Sequence, residues 1–397
     1  RALTESARLH VARGERRAFV TRSNRCPMRA RQMVEPDEDI AQHQVTPRHL
    51  MAPTHSETSS IAELLELAGG SLEELGRVWL GYTEPQGSLE LRSAIAATYE
   101  TVSPDQVVVL NSPVEGIYLT MRTLLDAGDE VVVLMPAYDA LPNVPEDIGA
   151  SVRPWFLEET DSGWRLDLDA LAALLTNRTR LVVANFPHNP SGYLPTEEEW
   201  TAFLEMIGDA GIWLYHDEIF RGLEHGDRPR LDSAADRYEQ TVVLGGLSKT
   251  HGLPGLRAGW LVVRIDNARR ELINTKMYTS ICPPAPSQYL ILQALRIADQ
   301  LAADNRELIR TNLALGEEFF AERSELFTFH PPLAGPVALA AIDVPSAVAF
   351  CDRLASEGGI LLLPAKYLGL GDRHVRFGFG RKSFPEALAA FAEYLDV

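Results

Sequence analysis

Between about residues 100 and 265, short apolar runs alternate with stretches whose apolar positions have helical spacing. The runs are nearly continuous and rich in Val, Ile and Leu, which is typical of strands buried on both faces. The predicted strands are Val107–Leu110, Glu130–Leu134, Val152–Phe156, Leu181–Asn185, Ile212–His216, Thr241–Leu244 and Trp260–Val263. Helices are predicted between them at 115–126, 167–175 and 196–208. The pattern therefore predicts an α/β fold with a mostly parallel seven-stranded sheet that helices cover on both faces.

After about residue 265 the pattern changes to two long helices and then to a smaller mixed unit. The long helices are predicted at 285–301 and 303–323. The mixed unit has predicted strands at Val337–Ile342, Ile360–Leu363 and Val375–Phe379, and helices at 346–357 and 384–395. We therefore expect a large domain at 76–275 and a small α+β domain at 276–397, with an N-terminal arm and short helices at 1–75 that join the small domain.

Composition narrows the class of protein and its partners. A chain of 397 residues, 46% of them apolar, can bury the cores of two or three domains. The formal net charge of −18 argues against nucleic acid or an anionic membrane as a partner. No apolar run approaches the roughly 18 residues of a membrane span. The widely spaced Cys26, Cys282 and Cys351 indicate neither a disulfide framework nor a metal site, so we expect a cytoplasmic protein.

The first thirty or so residues are rich in arginine and poor in acidic residues, unlike the rest of the chain. An Arg-rich, acid-poor start is typical of an organellar transit peptide, which is one interpretation. The other is a terminal extension that frays or lies on a partner subunit. The second is favoured because the segment shows no clear cleavage signal.

Polar side chains follow four of the predicted strands. Asn189 comes on a Pro/Gly-rich turn after 181–185, Asp217 directly after the next strand, Lys249 in a glycine-rich loop after 241–244, and Tyr138 after 130–134. In an open α/β sheet, ligands bind beyond the carboxyl ends of the strands. An amide, a carboxylate, an amine and an aromatic ring are therefore expected to reach one flat ligand.

Each of these residues also has an ordinary structural interpretation. Lys249 could be a solvated surface lysine, and a phosphate-binding P-loop is ruled out because Ser248 stands where that motif requires glycine. Asn189 before proline makes a good turn, Asp217 could cap a helix, and Tyr138 could be a core residue. Their joint placement at strand ends favours a shared site.

Four motifs, in this order and spacing, resemble the fold-type I pyridoxal phosphate (PLP) enzymes, and specifically the class I/II aminotransferases. The resemblance extends from about Tyr82 to Arg376. The motifs are Asn-Pro-Ser-Gly at 189–192, Asp-Glu at 217–218, Ser-Lys at 248–249 and Gly-Leu-Arg-Ala-Gly-Trp at 255–260. The resemblance implies the PLP-transferase fold type I and pyridoxal 5'-phosphate as cofactor.

The resemblance also implies a role for each matching residue. Lys249 would hold PLP as a Schiff base and act as the base at the substrate Cα, as amines do when desolvated near cations. Asp217 would pair with the pyridinium nitrogen, so that the ring acts as an electron sink. Arg376 would bind the substrate α-carboxylate in a bidentate manner. The other implied contacts are Asn189 with the phenolic oxygen and with substrate, Tyr138 on the ring, Ser248 and Arg257 at the phosphate, and Tyr82 at the phosphate of a partner subunit.

Two positions depart from the family pattern. The turn before the helix near Glu115 reads Asn-Ser-Pro-Val at 111–114 instead of a Gly/Ser/Ala-rich sequence, and Pro113 has no N–H to offer a phosphate. The phosphate contacts are then expected from Ser112, the Val114 N–H, Ser248 and Arg257. Phe220 stands where many members carry a tyrosine directed at the phenolic oxygen, and we expect this loss to raise the pKa of the imine.

The resemblance implies an aminotransferase that moves the amino group of an L-α-amino acid to a 2-oxo acid, acting as a homodimer with shared active sites. A PLP-dependent lyase or cyclase of specialised amino-acid metabolism, similar to capreomycidine synthase, is the alternative, because PLP stabilises the same carbanion in either reaction. A PLP-fold binding or regulatory protein without catalysis is a third hypothesis, for which Pro113 is the motivating feature.

Overall fold

The structure is a computed structural model that describes residues 47–396. The basic N-terminal segment and Cys26 lie outside these residues. The strands are β1 His49–Leu50, β2 Val107–Leu110, β3 Glu130–Met135, β4 Ser151–Phe156, β5 Glu158–Thr160, β6 Gly163–Arg165, β7 Thr179–Asn185, β8 Trp213–Asp217, β9 Thr241–Gly246, β10 Gly259–Val263, β11 Phe327–Phe329, β12 Val337–Ile342, β13 Ile360–Leu361, β14 Leu363–Pro364 and β15 His374–Gly378.

The helices fall between these strands and after the last of them. They are α1 Ile61–Ala68, α2 Leu72–Gly76, α3 Leu89–Ala96, α4 Pro113–Leu124, α5 Ala140–Ile148, α6 Leu168–Leu174, α7 Glu197–Asp209, α8 Ala234–Arg237, α9 Asp266–Lys276, α10 Ala285–Arg296, α11 Ala298–Glu322, α12 Ala347–Arg353 and α13 Phe384–Leu395. Within residues 47–396, none of these helices is long and apolar enough to cross a membrane.

Seven strands form the large sheet, in the order β2-β10-β9-β8-β7-β3-β4. β10 runs antiparallel to β2 and β9, and the other neighbours pair in parallel. The prediction of a mostly parallel seven-stranded sheet is confirmed. The register places Asn185 beside Asp217 and Asp217 beside Leu244, so that β7, β8 and β9 end at one edge.

Both faces of the large sheet are buried except at the edge strand β4, which explains the continuous apolar runs of the inner strands. Val107 and Val109 pack in a core with helices on one face, whereas Val108 and Leu110 pack in a second core on the other face. Because successive strand residues point to opposite faces, a strand covered on both sides must be apolar throughout.

A second antiparallel sheet has the order β11-β12-β15-β14, and its core is rich in phenylalanine. β1 pairs in parallel with β13, and Met51 packs in the phenylalanine-rich core of the second sheet. Leu64 and Leu65 of α1 pack instead in a core of the large sheet. The proposed domain bounds stay a prediction.

Several elements, among them β5, β6 and α9, have no predicted counterpart, and three further differences have a local explanation. Helix α5 was not predicted because Pro145 lies inside it, and proline normally interrupts a helix. The predicted strand at 360–363 is divided, because β13 pairs with β1 whereas β14 pairs with β15. The predicted helix at 346–357 leaves α-helical geometry after Arg353 and finishes in a π-turn over Leu354–Gly358.

Candidate active site

The carboxyl ends of β7, β8 and β9 carry the polar residues at the centre of the site. Asn185, the last residue of β7, donates from Nδ2 to the Asp217 carbonyl oxygen at 2.7 Å. The same side chain accepts from the Asn189 backbone N–H through Oδ1 at 2.8 Å. Asn185 therefore fixes the position of Asp217 relative to Asn189. Sequence reasoning did not select Asn185, although its place at a strand end was a usable signal.

A cavity of about 510 Å³ opens at this edge of the sheet. It is lined by most of the residues selected from the sequence: Pro113, Val114, Tyr138, Asn189, Asp217, Phe220, Ser248, Lys249, Arg257 and Arg376. Ser112 borders it through a hydrogen bond from Arg257 Nη2 to its Oγ, at 2.8 Å. Further lining residues come from distant segments, including Thr54, His55 and Tyr367, which no local pattern in the sequence marks.

Asp217 is a buried carboxylate in the wall of the cavity. Its Oδ1 accepts a hydrogen bond from the Ile219 N–H at 3.0 Å. Burial raises the pKa of Asp217 to about 6, while the Ile219 hydrogen bond and the nearby Lys249 charge oppose that rise. A cationic ring nitrogen placed against Asp217 would stabilise the charged form further.

Glu218 points away from Asp217 into a buried polar cluster that the sequence did not reveal. Its Oε1 accepts from Ser233 Oγ at 2.8 Å and from the Ala234 N–H at 2.9 Å, and lies 3.0 Å from His216 Nδ1. Burial would raise the pKa of Glu218, but these donors and the His216 charge hold it below its usual value. Neighbouring carboxyl groups in the sequence therefore have opposite pKa shifts.

The start of α4 and the loop before β10 form the cationic part of the site. Ser112 is the N-cap of α4, and Pro113 occupies the first helical position, where a missing N–H costs no intrahelical bond. The Val114 N–H donates to Ser112 Oγ at 3.2 Å, and the Glu115 N–H donates to the Ser112 carbonyl at 3.1 Å. The Val114 and Glu115 N–H groups thus already donate to Ser112, and Arg257, which donates to Ser112 Oγ, is a cation beside them.

Arg376 enters the cavity from β15 of the second sheet. It is buried, and its Nη1 donates to Asn189 Oδ1 at 3.3 Å. Its Nη2 donates to the Ala52 carbonyl at 3.0 Å. The guanidinium of the second sheet thus lies against the Asn189 amide, which is on the turn after β7 of the large sheet.

Tyr82 does not reach the cavity of its own chain. Its side chain is 82% exposed, and Trp79 and Leu80 beside it are also exposed. The adjacent Thr83 donates from Oγ1 to the Pro283 carbonyl at 2.8 Å, which joins this loop to the segment between α9 and α10.

The sequence between residues 55 and 392 matches the family described as aminotransferase class I and II. The match includes the cavity residues from His55 to Arg376 and both sheets. The chain belongs to the class I and II aminotransferases. This is a family of PLP-dependent enzymes, so PLP is the expected cofactor of the site described above.

Known members with different reactions are similar to this aminotransferase-family chain. Capreomycidine synthase of Streptomyces vinaceus is 34% identical over 312 residues, which cover 78% of this chain and 79% of that protein. A PLP-dependent aminotransferase from Streptococcus suis has a structure with a TM-score of 0.85 and 25% identity, covering 92% of this chain and 98% of that one. The PLP-dependent cyclase OrfR has a TM-score of 0.84 and 28% identity, with 93% and 99% coverage.

Proposed function

We propose that this protein is a PLP-dependent aminotransferase that transfers the amino group of an L-α-amino acid to a 2-oxo acid. The observation that carries the proposal is the convergence of the Lys249 amine, the buried Asp217 carboxylate and the Arg376 guanidinium on one cavity. Three such groups, brought from β8, β15 and the loop after β9, match the needs of amino-group transfer to and from a carboxylate-bearing substrate.

The donor set of the cavity fits PLP. Asp217 would bind the ring nitrogen, Asn189 the phenolic oxygen, and Tyr138 the face of the ring, while Ser248, Arg257 and Ser112 would hold the phosphate. Lys249 would hold the cofactor covalently through its amine. Once bound, PLP withdraws electrons from the bonds at the substrate Cα.

The protein's own groups would then orient the substrate and move its proton. Arg376 would bind the α-carboxylate with its planar guanidinium, which fixes the orientation of Cα. Lys249 Nζ would take the Cα proton and later deliver it. Burial of Arg376 and Asp217 keeps water from both groups and strengthens their charge interactions.

Cofactor attachment is tested with the purified protein and Lys249→Ala. The protein is expected to show the near-UV and visible absorbance of bound PLP, and the variant is expected to lose it. An unchanged spectrum in Lys249→Ala would sink the assignment and would favour a PLP-fold protein without catalysis.

A PLP-dependent lyase or cyclase is the second candidate function, because capreomycidine synthase and the cyclase OrfR are both similar to this chain. The two candidates differ in the fate of the cofactor. A panel of single L-amino acids is incubated with the holoenzyme, without a 2-oxo acid. Accumulation of pyridoxamine phosphate supports amino transfer, whereas product formation with PLP retained supports elimination or ring closure.

A homodimer is part of the proposal, supported by exposed apolar residues in the loop around Tyr82 and in the segment between α9 and α10. Trp79, Leu80, Tyr82 and Tyr278 are 76%, 80%, 82% and 92% exposed, and surfaces of this kind usually bind a partner. Tyr82 would then reach the phosphate of a second copy. Sedimentation of Tyr278→Asp should show dissociation, and a monomeric parent protein would contradict the proposal.

A further inference from the structure

The segment from Met51 to Glu57, named the strap, lines the cavity through Pro53, Thr54 and His55 and contacts both Arg376 and Lys249. Arg376 Nη2 donates to the Ala52 carbonyl at 3.0 Å, and Lys249 Nζ donates to Thr54 Oγ1. These two contacts lie two residues apart, with Pro53 between them. The strap therefore connects the side chain that would bind the substrate carboxylate with the amine that would move the substrate proton.

Close backbone packing holds the strap in place. The Gly378 N–H donates to the Met51 carbonyl at 2.7 Å, and a Cβ at Gly378 would lie 2.1 Å from the Pro53 carbonyl oxygen. A Cβ at Gly252 would lie 2.0 Å from the Glu57 carbonyl oxygen. Only glycine permits such an approach at either position, so the strap is packed between β15 and the loop that carries Lys249.

Polar contacts anchor the end of the strap. Glu57 Oε2 accepts from the Lys382 N–H at 2.8 Å, and Glu57 Oε1 lies 3.2 Å from Arg381 Nη2. Burial would raise the pKa of Glu57, but hydrogen bonds from the Lys382 and Thr58 N–H groups and the charge of Arg381 lower it, so Glu57 is ionised at neutral pH. Both sides of Thr54 are thus held by the fold.

We propose that Thr54 is a positioning residue: its hydroxyl oxygen accepts a hydrogen bond from the Lys249 amine and aims that amine at the substrate held by Arg376. The inference rests on the proposed function, in which Lys249 carries PLP and moves the Cα proton. It concerns the interval in which the amine is not bonded to the cofactor. No residue pattern in the sequence pointed to Thr54, which lies almost 200 positions before Lys249.

The proton balance is simple. The neutral Lys249 amine takes the substrate proton at Nζ and becomes an ammonium group, and Thr54 Oγ1 accepts one N–H before and after the transfer. Thr54 neither gains nor loses a proton. Its hydrogen bond is stronger to the ammonium form, because charge-assisted hydrogen bonds are stronger than neutral ones, so it favours the proton-accepting direction. Burial lowers the pKa of the adjacent His55, which leaves that imidazole mainly neutral and adds little positive charge beside the amine.

Thr54→Val and Thr54→Ser form the matched pair for the test, since valine has the shape of threonine without its hydroxyl and serine retains the hydroxyl. The first measurement uses the full-length apoprotein. The rate at which Lys249 bonds added PLP is recorded against pH, which reports the apparent pKa of the amine. This pKa is expected to fall by about one unit in Thr54→Val and to stay near the parent value in Thr54→Ser.

The second measurement uses the holoenzyme and the L-amino acid that gives most pyridoxamine phosphate in the panel. The single-turnover rate is expected to fall about tenfold in Thr54→Val, which corresponds to about 1.4 kcal/mol, with KM little changed. Thr54→Ser should retain the parent rate. A residue with only a structural role would lower stability without moving the pKa of Lys249.

Equal behaviour of Thr54→Val and Thr54→Ser in both measurements would overturn the inference. If Thr54→Val does not fold, Thr54→Ala replaces it in the same comparison with Thr54→Ser. Failure of the proposed function is recognised separately, because Lys249→Ala would then retain the parent spectrum. The apoprotein measurement also decides the role of Thr54 if no amino acid in the panel reacts.

Discussion

At the scale of single residues, the site depends on a carboxylate placed where water cannot solvate it. Asp217 is buried at the end of β8, and burial raises its pKa to about 6. Desolvation makes the ionised carboxylate unfavourable in the apoprotein. It also favours cofactor binding, because a buried carboxylate binds a cationic ring nitrogen more strongly than a solvated one does. The buried Asp217 charge is therefore expected to destabilise the apoprotein, and cofactor binding is expected to remove this destabilisation.

Asp217→Asn tests this balance. A carboxyl group with a raised pKa contributes stability that is present below its unfolded pKa, near 3.8, and lost as the pH rises through about 6. At pH 7 the variant apoprotein should therefore be more stable than the parent, by at most about 3 kcal/mol, and PLP binding should weaken. Urea unfolding at pH 7 and pH 3 checks the sign, because the difference should vanish at pH 3, below the unfolded pKa.

Phe220→Tyr tests the second departure from the family pattern. Phe220 is fully buried against the cavity, and it packs close to Gly335. A tyrosine hydroxyl there would donate to the phenolic oxygen that Asn189 otherwise binds alone, which stabilises the deprotonated imine. The pH at which the absorption bands of bound PLP interconvert should fall, and an unmoved midpoint would contradict the expected role of Phe220.

At the scale of elements, the register of three neighbouring parallel strands assembles the site. Asn185 at the end of β7 ties the Asp217 carbonyl of β8 to the Asn189 turn with hydrogen bonds of 2.7 and 2.8 Å. A shift by one residue would turn Asp217 to the opposite face of the sheet. Asn185 therefore belongs to the site through the strands that it joins.

Asn185→Ala should leave the Asp217 carbonyl and the Asn189 N–H without their partner. We expect a loss of about 1–3 kcal/mol in the free energy of unfolding and about tenfold weaker PLP binding. Glu130→Gln is the control, since Glu130 accepts from Thr176 Oγ1 at 2.6 Å at the amino end of β3. It should destabilise the protein without changing PLP affinity. Equal affinity losses in both variants would remove Asn185 from the site.

At the scale of the whole molecule, side-chain contacts hold the hairpin of β5 and β6 against the second sheet. Glu159 Oε2 lies 2.8 Å from Nε2 of His374, and Glu159 Oε1 lies 3.7 Å from Nε2 of His330. His374 lies two residues before Arg376 on β15, so these contacts also help to place the Arg376 guanidinium. The hydrogen bond with His374 lowers the pKa of Glu159 despite its partial burial.

Glu159→Gln should lower the free energy of unfolding at pH 6 by about 1 kcal/mol or less, since the group is partly exposed. A carboxyl group with a lowered pKa contributes stability above its unfolded pKa of about 4.5, and this is lost as the pH falls through the folded value. The difference should therefore vanish near pH 3. Glu158→Gln in the same hairpin is the control, because Glu158 pairs with the exposed Arg165 and should have little effect at either pH.

The large sheet and the residues at its strand ends could be predicted because burial of the strands leaves a pattern in the local sequence. Strands buried on both faces must be apolar along their whole length, so β2, β3 and β7 to β10 are visible in the sequence, and polar residues directly after them stand out. Lys249, Asp217 and Asn189 were selected in this way and line one cavity. Arg257 follows Lys249 by eight residues in the same loop and also lines the cavity, whereas Arg376 was added by the family resemblance alone, because no local pattern indicates its place.

Only the tertiary structure decided which distant segments meet those strand ends. Thr54 contacts Lys249, and Ala52 contacts Arg376, because glycines at 252 and 378 let the strap approach both elements. His216 and Glu218 form a buried cluster with Ser233 behind the site. Such contacts depend on packing between segments far apart in the chain, and the hydrophobic periodicity of the sequence does not indicate them. The sequence by itself therefore determined the sheet and the chemical groups at its edge, whereas the strap that orients Lys249 came from tertiary packing.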